Sequence, residues 1–327
     1  MQMTPDKKKN KLYIVVPCYN EEQVLGETSK RLKIKCENLI QKGQISKDSK
    51  IVFVDDGSKD RTWKMISELH ETDSLFSGVK LSRNRGHQNA LLAGLTMASE
   101  HADMAISMDA DLQDDINAID EMVDKYHEGF DVVYGVRNSR KTDTFFKRFT
   151  AQAYYKMLLF MGVDIVYNHA DFRLMSKRVL KEMENYKEVN LFLRGIVPMI
   201  GFPSTNVYYE RHERFAGESK YPLKKMLHFA FDGITSLSVK PIRLITTVGA
   251  GIFFLSICML IYSIVIHFLG KSLVGWSSLM VSIWALGGLQ LLAIGIVGEY
   301  IGKMYLETKG RPRFAIQDIL NDVDRAE

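Results

Sequence analysis

"ISMDADLQDD" runs from Ile106 to Asp115 and places Asp109, Asp111, Asp114 and Asp115 within seven positions, directly after a short apolar run. Like charges so close raise one another's pKa and cost stability unless a cation or a helix end sits among them. A strand that ends in Asp-x-Asp delivers two carboxylates to a sheet edge, where oxygen donors suit Mg2+ or Mn2+ shared with substrate phosphates. Asp114 and Asp115 precede the helical pattern "INAIDEM" and are expected to serve its first turn. The cluster thus divides into Asp109 and Asp111 for metal, and Asp114 and Asp115 for the helix. An Asp-x-Asp alone is common by chance, so its weight depends on what surrounds it.

Upstream, short β-rich runs alternate with amphipathic stretches. "KLYIVVP", "KIVFVDDGS", "SGVKLSRN", "DMAISMD" and "DVVYGVR" read as strands; "EEQVLGETSKRLKIKCENLIQ", "DRTWKMISELHE", "GHQNALLAGLTMASEH" and "INAIDEMVDKYHEG" have helical spacing. Near-continuous apolar strands separated by helices predict a mostly parallel sheet with helices on both faces. Ligands of such sheets bind at the carboxyl ends of the strands, where Asp55–Asp56 and Asp109–Asp115 both fall.

The 327 residues allow one large or two ordinary domains, and a formal net charge of +4 gives no indication of nucleic acid as a partner. Cys18, Cys36 and Cys258 are widely spaced, which fits free thiols in a reducing compartment. "LYIVVP" is too short for a signal-peptide core, so the N-terminal body is expected to stay in the cytoplasm. Residues 144–162 and 223–239 mix aromatics and aliphatics with basic residues; each suits either a core helix or an amphipathic helix lying on lipid. Leu244–Ile266 and Trp276–Gly298 carry no charged residue and are long enough to cross a hydrocarbon core of ~30 Å. Lys240 and Arg243 precede the first span, and Lys303, Lys309, Arg311 and Arg313 follow the second. The positive-inside rule then puts both termini in the cytoplasm of a multi-pass plasma-membrane protein. Gly298 and Gly302 form a GxxxG, and the glycine-rich spans lead us to expect a homo-oligomer. Glu299, at the inner end of the second span, is placed to reach the interface, a headgroup or a basic residue.

The expected divisions are a catalytic domain over 1–222, an interfacial segment over 223–241, two transmembrane helices within 242–303 (about 244–268 and 276–302), and a cytoplasmic tail over 304–327. In order, "VVPCYNEE", "VDDGSKDRT", "LSRNRGHQNAL" and "MDADLQDD" each sit at a strand end. Together they resemble the inverting family 2 glycosyltransferases, whose nucleotide-sugar domain has the Rossmann-like GT-A fold. "DFRLMSKR" at 171–178, "ERFAGESKYPL" at 213–223, the two spans and "GEYIGKMYLETKGRPRF" narrow the resemblance to the polyisoprenyl-phosphate glycosyltransferases of the bactoprenol glucosyltransferase type. Dolichyl-phosphate mannose synthases share the catalytic half. The QxxRW of processive synthases is absent, the region reading "LFLRGIVPMIGF", and Asp115 stands where the family often has proline.

The resemblance implies that Pro17, Tyr19 and Glu21 line the nucleotide pocket, with Asp55 and Asp56 on base and ribose. It implies Asp109, Asp111 and Gln113 as ligands of Mg2+ or Mn2+ on the donor diphosphate, Asp111 and Asp171 at the reacting centre, and Arg211, Arg214, Ser219 and Lys220 as the phosphate-binding segment. Bland alternatives stand beside these: "DDGS" as an ordinary turn, Asp171 as an arginine-paired structural acid, His87 as a packing residue at a helix start. The implied reaction moves a hexose, glucose by best match, from a UDP-sugar to a polyprenyl phosphate at the bilayer, for later use by a flippase. Another sugar, another lipid or saccharide acceptor, and a non-catalytic nucleotide-binding scaffold are the competing expectations.

Overall fold

The computed structural model describes residues 9–138, 169–188, 192–211, 240–269 and 275–321. The segments 144–162 and 223–239, and with them Arg214, Ser219 and Lys220, lie outside these. The chain divides into two compact units, an α/β unit and a pair of long helices.

In the α/β unit the strands β1 (Leu12–Cys18), β2 (Lys50–Asp55), β3 (Phe76–Leu81) and β4 (Met104–Ser107) alternate with α1 (Leu25–Gln41), α2 (Thr62–Thr72) and α3 (His87–His101). Then come α4 (Ala118–His127), β5 (Val132–Arg137), β6 (His169–Ser176), α5 (Lys177–Met183), α6 (Leu193–Ile200) and β7 (Ser204–Tyr209). A last strand, β8 (Ile316–Leu320), follows the long helices in sequence. The eight strands form one sheet in the order β7-β5-β6-β4-β1-β2-β3-β8. β1 pairs in parallel with β2 and β4, β2 with β3, and β5 with β7. β6 runs antiparallel between β4 and β5, and β8 antiparallel to β3.

Every residue of β1 is buried, because the strand is covered on both faces. Leu12, Ile14 and Val16 join the core under α1, α2 and α4, while Tyr13 and Val15 join the opposite core under α3. Period-two alternation of a strand thus feeds two apolar layers, at roughly 1.5–3 kcal/mol per fully buried aliphatic side chain. On α1 the buried Leu25, Thr28, Leu32, Cys36 and Leu39 recur at three- and four-residue steps, the stripe that faces the sheet. On α3, Gly94 lets the helix close on the sheet: a Cβ there would lie 2.4 Å from Cγ1 of Val15 and 2.7 Å from Cγ2 of Val54.

From β1 the order proceeds to β2 and β3 on one side and to β4 on the other. The crevice outside the carboxyl ends of β1 and β4 is therefore a topological switch point, the favoured ligand position of an open α/β sheet. It lies between Tyr19 and Asp109.

The segment expected as a tail over 304–327 contains β8. Residues 316–320 are an edge strand of the α/β sheet, with Ser77 Oγ donating to the Leu320 carbonyl at 2.8 Å.

The second unit contains α7 (Lys240–Phe268) and α8 (Trp276–Thr308). Among the described residues one stretch, Leu286–Thr308 within α8, is long and apolar enough to cross a membrane. Phe254 and Leu255 of α7, like Leu291, Leu292 and Ile294 of α8, are all more than half exposed. Glu299 has Lys303 as a partner one turn on, at 3.9 Å.

Candidate active site

β4 ends at Ser107, and the chain then turns through Asp109, Ala110 and Asp111 at the sheet's carboxyl edge. The turn is held from α1, where Thr28 Oγ donates to the Ala110 carbonyl at 2.8 Å. Leu112 takes φ +56, a left-handed conformation that costs energy for a branched residue, yet its side chain is buried. Gln113 N donates to Asp111 Oδ1 at 3.2 Å.

Asp171 arrives by register. β6 is antiparallel to β4 with Ser107 opposite Arg173, so two residues further along Asp171 reaches the level of Asp109. Ser107 Oγ donates to the Asp171 carbonyl at 2.5 Å and fixes the strand there. The Asp171 carboxylate is ringed by cations. Arg173 Nη2 donates to Oδ1 at 2.9 Å, and Arg194 donates through Nε to Oδ1 at 3.1 Å and through Nη2 to Oδ2 at 3.0 Å. Burial alone would raise this carboxyl, but the charges of Arg194 and then Arg173 outweigh it and hold Asp171 well below the usual carboxylate range.

His87, the first residue of α3, stands between the two acids. Its Nε2 is 3.5 Å from Asp109 Oδ1 and 3.7 Å from Asp171 Oδ2. The sequence reading gave His87 a packing role; the structure puts it in the site. The Asp109 side chain is 36% exposed and faces His87. Desolvation first, then the charges of Asp114, Asp171 and Asp111, push it up to about 6 against the pull of His87.

Asp114 does not serve the helix as expected. It is 3% exposed, with Oδ1 accepting from Tyr209 Oη at 2.5 Å and from Arg137 Nη2 at 3.3 Å. A buried carboxylate needs paired donors more than a helix terminus needs an acid. Tyr209 and Arg137 close strands β7 and β5, so Asp114 ties the acidic turn to two neighbouring strand ends. Asp115 keeps a local role near the helix, its Oδ1 accepting from Asn117 N at 2.9 Å. Arg211, just past β7, donates through Nη2 to Gln113 Oε1. The oxygen read as a metal ligand thus already accepts from this arginine, with a second lone pair left for a cation.

On the other side of the switch point, Pro17 is buried in β1 and Tyr19 is 37% exposed. Glu21 N donates to Thr62 Oγ1 at 2.9 Å. Asp55 is fully buried at the end of β2: Oδ1 accepts from Ser58 N at 3.1 Å, while Oδ2 has no hydrogen-bond partner among the described residues. Asp56 accepts from Arg85 N at 2.7 Å and Gly86 N at 2.8 Å, one bond to each oxygen, so it fixes the loop that launches α3 and His87. Burial is the largest influence on both acids and raises both. Gly57 between them and Ser58 has φ +68, and a Cβ would come within 2.7 Å of Asn84 N, so the turn and the loop touch backbone to backbone.

The donor set suits a hard divalent cation. Asp109 and Asp111 offer oxygens, and the surplus of negative charge around Asp109 is what a cation would relieve. Among the described residues no group of three or more His, Cys, Asp or Glu side chains could hold a metal ion. Two carboxylates with the remaining positions left to phosphate oxygens and water is the usual Mg2+ pattern.

Arg173 had a legible signal, since residues two apart on a strand share a face and "DFR" puts an acid and a base together. Arg194, Arg137 and Tyr209 had none in the sequence.

Residues 13–184 match the profile of Glycosyl transferase family 2. Over 312 residues the chain is 57% identical to the glycosyltransferase YkoT of Bacillus subtilis, covering 95% of this chain and 93% of that protein. It is 39% identical over 311 residues to the bactoprenol glucosyl transferase of Shigella phage SfX, covering 94% and 99% of the two chains. It is 38% identical over 313 residues to a prophage bactoprenol glucosyl transferase homolog of Escherichia coli K12, with coverage of 94% and 99%.

Proposed function

The chain belongs to glycosyl transferase family 2, and we propose that it transfers a hexose, glucose first among the candidates, from a UDP-sugar to a polyprenyl phosphate. The observation that carries this is the charged cluster at the switch point, where His87 stands between Asp109 and Asp171, Arg173 and Arg194 hold Asp171, Arg137 pairs with Asp114 and Arg211 bonds Gln113. Near full-length likeness to proteins named bactoprenol glucosyl transferases supports the choice of sugar and acceptor.

The reaction is a single displacement with inversion. An acceptor phosphate oxygen forms the bond to the anomeric carbon as the bond from that carbon to the diphosphate oxygen breaks, and the electron pair leaves with the nucleoside diphosphate. Asp109 and Asp111, with Gln113, would hold Mg2+ or Mn2+, which supplies charge neutralisation for the departing diphosphate. A phosphate monoester has its second pKa near ~6 and is largely ionised at neutral pH, so the attack needs little general-base help. Asp171, gripped by two guanidiniums, has a charge too well stabilised to favour taking a proton; it orients. Pro17, Tyr19, Glu21 and Asp55 line the nucleotide side, with Asp56 setting the loop behind it. Arg211, with Arg214, Ser219 and Lys220 after it, would draw in the acceptor phosphate.

The acceptor's chain requires a bilayer. The stretch Leu286–Thr308, and α7 as a second span, would anchor the protein in the plasma membrane with the α/β unit and both termini in the cytoplasm. Gly298 and Gly302 have nothing within 4 Å of an added Cβ, leaving room for another copy of the chain; a flippase would then carry the product outward.

The test offers detergent-purified protein undecaprenyl phosphate with Mg2+ or Mn2+ and, separately, labelled UDP-glucose, UDP-GlcNAc, UDP-galactose and GDP-mannose. Label should enter the organic phase from one donor, UDP-glucose, and not when undecaprenol replaces its phosphate. Equal labelling of the alcohol, or none from any donor in protein that binds UDP, would sink the reading.

A further inference from the structure

β1 and β2 are parallel neighbours with Cys18 level with Asp55, and Asp56 N donates to the Cys18 carbonyl at 2.9 Å, so the loops that follow them leave the sheet side by side. Three consecutive backbone N–H groups of the first loop donate to side chains of the second. Asn20 N reaches Ser58 Oγ at 2.9 Å, Glu21 N reaches Thr62 Oγ1 at 2.9 Å, and Glu22 N reaches Asp60 Oδ2 at 3.3 Å. The exchange is reciprocal: Lys59 N donates to Asn20 Oδ1 at 2.9 Å, and Arg61 N to Glu22 Oε2 at 3.1 Å.

Asn20 takes part through both its backbone and its side chain, and its φ of +53 is a left-handed conformation that asparagine adopts at low cost. Ser58 likewise serves both loops. Its Oγ accepts from Asn20 N, its amide donates to Asp55 Oδ1 at 3.1 Å, and its hydroxyl is bonded to the same carboxylate. Burial raises the Asp55 carboxyl and these bonds from Ser58 pull it back, so a fully buried acid is steadied by a residue of the interlock. Tyr19, partly exposed, directly precedes Asn20. Backbone groups of an exposed loop can be satisfied by water, yet here they tie two loops to each other. A loop pair fixed before its ligand arrives loses little entropy when the ligand binds.

We infer that Asn20 and Ser58 are positioning residues of the nucleotide pocket, the interlock fixing Tyr19 and the Asp55 turn as one preformed ledge for the nucleoside of the donor. Neither residue has to touch the substrate for this. The inference rests on the transferase reading above and adds to it two residues that set donor affinity. Loosening the ledge costs donor binding and leaves acceptor binding alone.

The experiment compares Asn20→Gly, Ser58→Ala and Ser58→Thr with wild type in full-length protein, at a temperature where near-UV circular dichroism shows each to be folded. It measures by calorimetry the affinities for UDP and GDP with Mn2+ and for farnesyl phosphate, and KM for both substrates of the transfer. Asn20→Gly keeps the left-handed φ and loses the side-chain acceptor; Ser58→Ala loses the hydroxyl between the loops. Each should weaken binding of the preferred nucleotide by about threefold to tenfold, the range of a lost neutral hydrogen bond, with a matching rise in KM for the sugar donor. Farnesyl phosphate affinity and KM for undecaprenyl phosphate should stay within twofold. Ser58→Thr keeps the hydroxyl and should bind nucleotide within twofold of wild type. Unchanged nucleotide affinity in Asn20→Gly and Ser58→Ala, even with Tm lowered, would show that the interlock only stabilises the loops and would overturn the inference. An equal loss for farnesyl phosphate, or a loss in Ser58→Thr as large as in Ser58→Ala, would overturn it too. If Asn20→Gly does not fold, Ser58→Ala decides. A wild type that binds a nucleotide and transfers nothing refutes the function reading alone; one that binds no nucleotide refutes both.

Discussion

Replacing Tyr209 by phenylalanine removes one oxygen and tests how the acidic turn is held. That oxygen donates to Asp114 Oδ1 at 2.5 Å and accepts from Arg137 Nε at 3.3 Å. Asp114 is buried, so the lost donor is not replaced by bulk water, while Arg137 Nη2 remains at 3.3 Å and can tighten. A hydrogen bond to a charged group contributes about 1.5–3 kcal/mol net, and the surviving arginine makes the upper figure a ceiling. For an α/β unit of this size 1 kcal/mol shifts Tm by about 2–4 °C, so Tyr209→Phe should melt roughly 3–12 °C below wild type. The same change loosens the turn bearing Asp109 and Asp111, and a misplacement of ~1 Å in such groups can cost on the order of a hundredfold in rate. Burial pushes the Tyr209 hydroxyl well up, with the charge of Asp114 adding to it. Because the folded pKa is raised, the wild type loses stability as pH climbs past the unfolded tyrosine value of ~10, a loss the variant should lack. Tyr208→Phe is the control, since Tyr208 is 59% exposed and its hydroxyl can reach water. The assays are thermal unfolding in detergent between pH 7 and 10.5, and sugar transfer. If Tyr209→Phe and Tyr208→Phe coincide in both, the turn is not held through Asp114 and the reasoning fails.

Gly94→Ala should lower Tm, as overpacking against Val15 and Val54 at about 1–3 kcal/mol outweighs a helix-propensity gain of up to ~1 kcal/mol. Gly26→Ala, with nothing within 4 Å of its Cβ, should raise Tm instead; matching shifts would contradict the packing argument. Asp131 is held below its ordinary pKa, first by its hydrogen bond from Arg178 and also by that from Ser176. Its contribution is complete above the unfolded value of ~3.9 and is lost as pH falls through the folded one, so Asp131→Asn should flatten Tm against pH between 5 and 3. Burial pushes the Cys36 thiol up to about 12 and Cys18 well above its ordinary value. Peptide mapping after iodoacetamide at pH 8 should find both unmodified in folded protein and both modified in denaturant.

The β1-to-β5 half was legible because each strand there is a short apolar run and each helix between them carries a stripe of helical period. β6 was not, and the reason is chemical. Its sequence "HADFRLMS" places Asp171 and Arg173 in a buried strand, and the two are tolerated there because they neutralise each other. Hydropathy scores each as a solvent residue; only their mutual pairing makes the segment a strand interior. β8 escaped for the opposite reason. "IQDIL" lies at the sheet's edge with four of five residues exposed, so little burial marks it, and its pairing with β3 spans more than two hundred positions of sequence.

The same distinction explains which site residues could be read. Asp109 and Asp111 announce themselves because unbalanced like charge at a strand end is costly and therefore informative. Asp114 read in sequence as a helix-start acid, yet Arg137 and Tyr209, both distant in the chain, bond it and make it structural. Asp171 differs again: two arginines, Arg173 and Arg194, hold its carboxylate. Four aspartates at one sheet edge thus acquire three roles from how completely each is compensated. Compensation is a property of neighbours in space, so a double exchange should expose it: with Arg137→Met and Asp114→Leu combined, the buried pair gives way to apolar packing of similar volume. Because such replacements are often neutral in stability, the double variant should fold better than Asp114→Leu alone, which strands Arg137 beside Arg194 and Arg211. A double variant no more stable than that single one would show that Asp114 and Arg137 do not act as a pair.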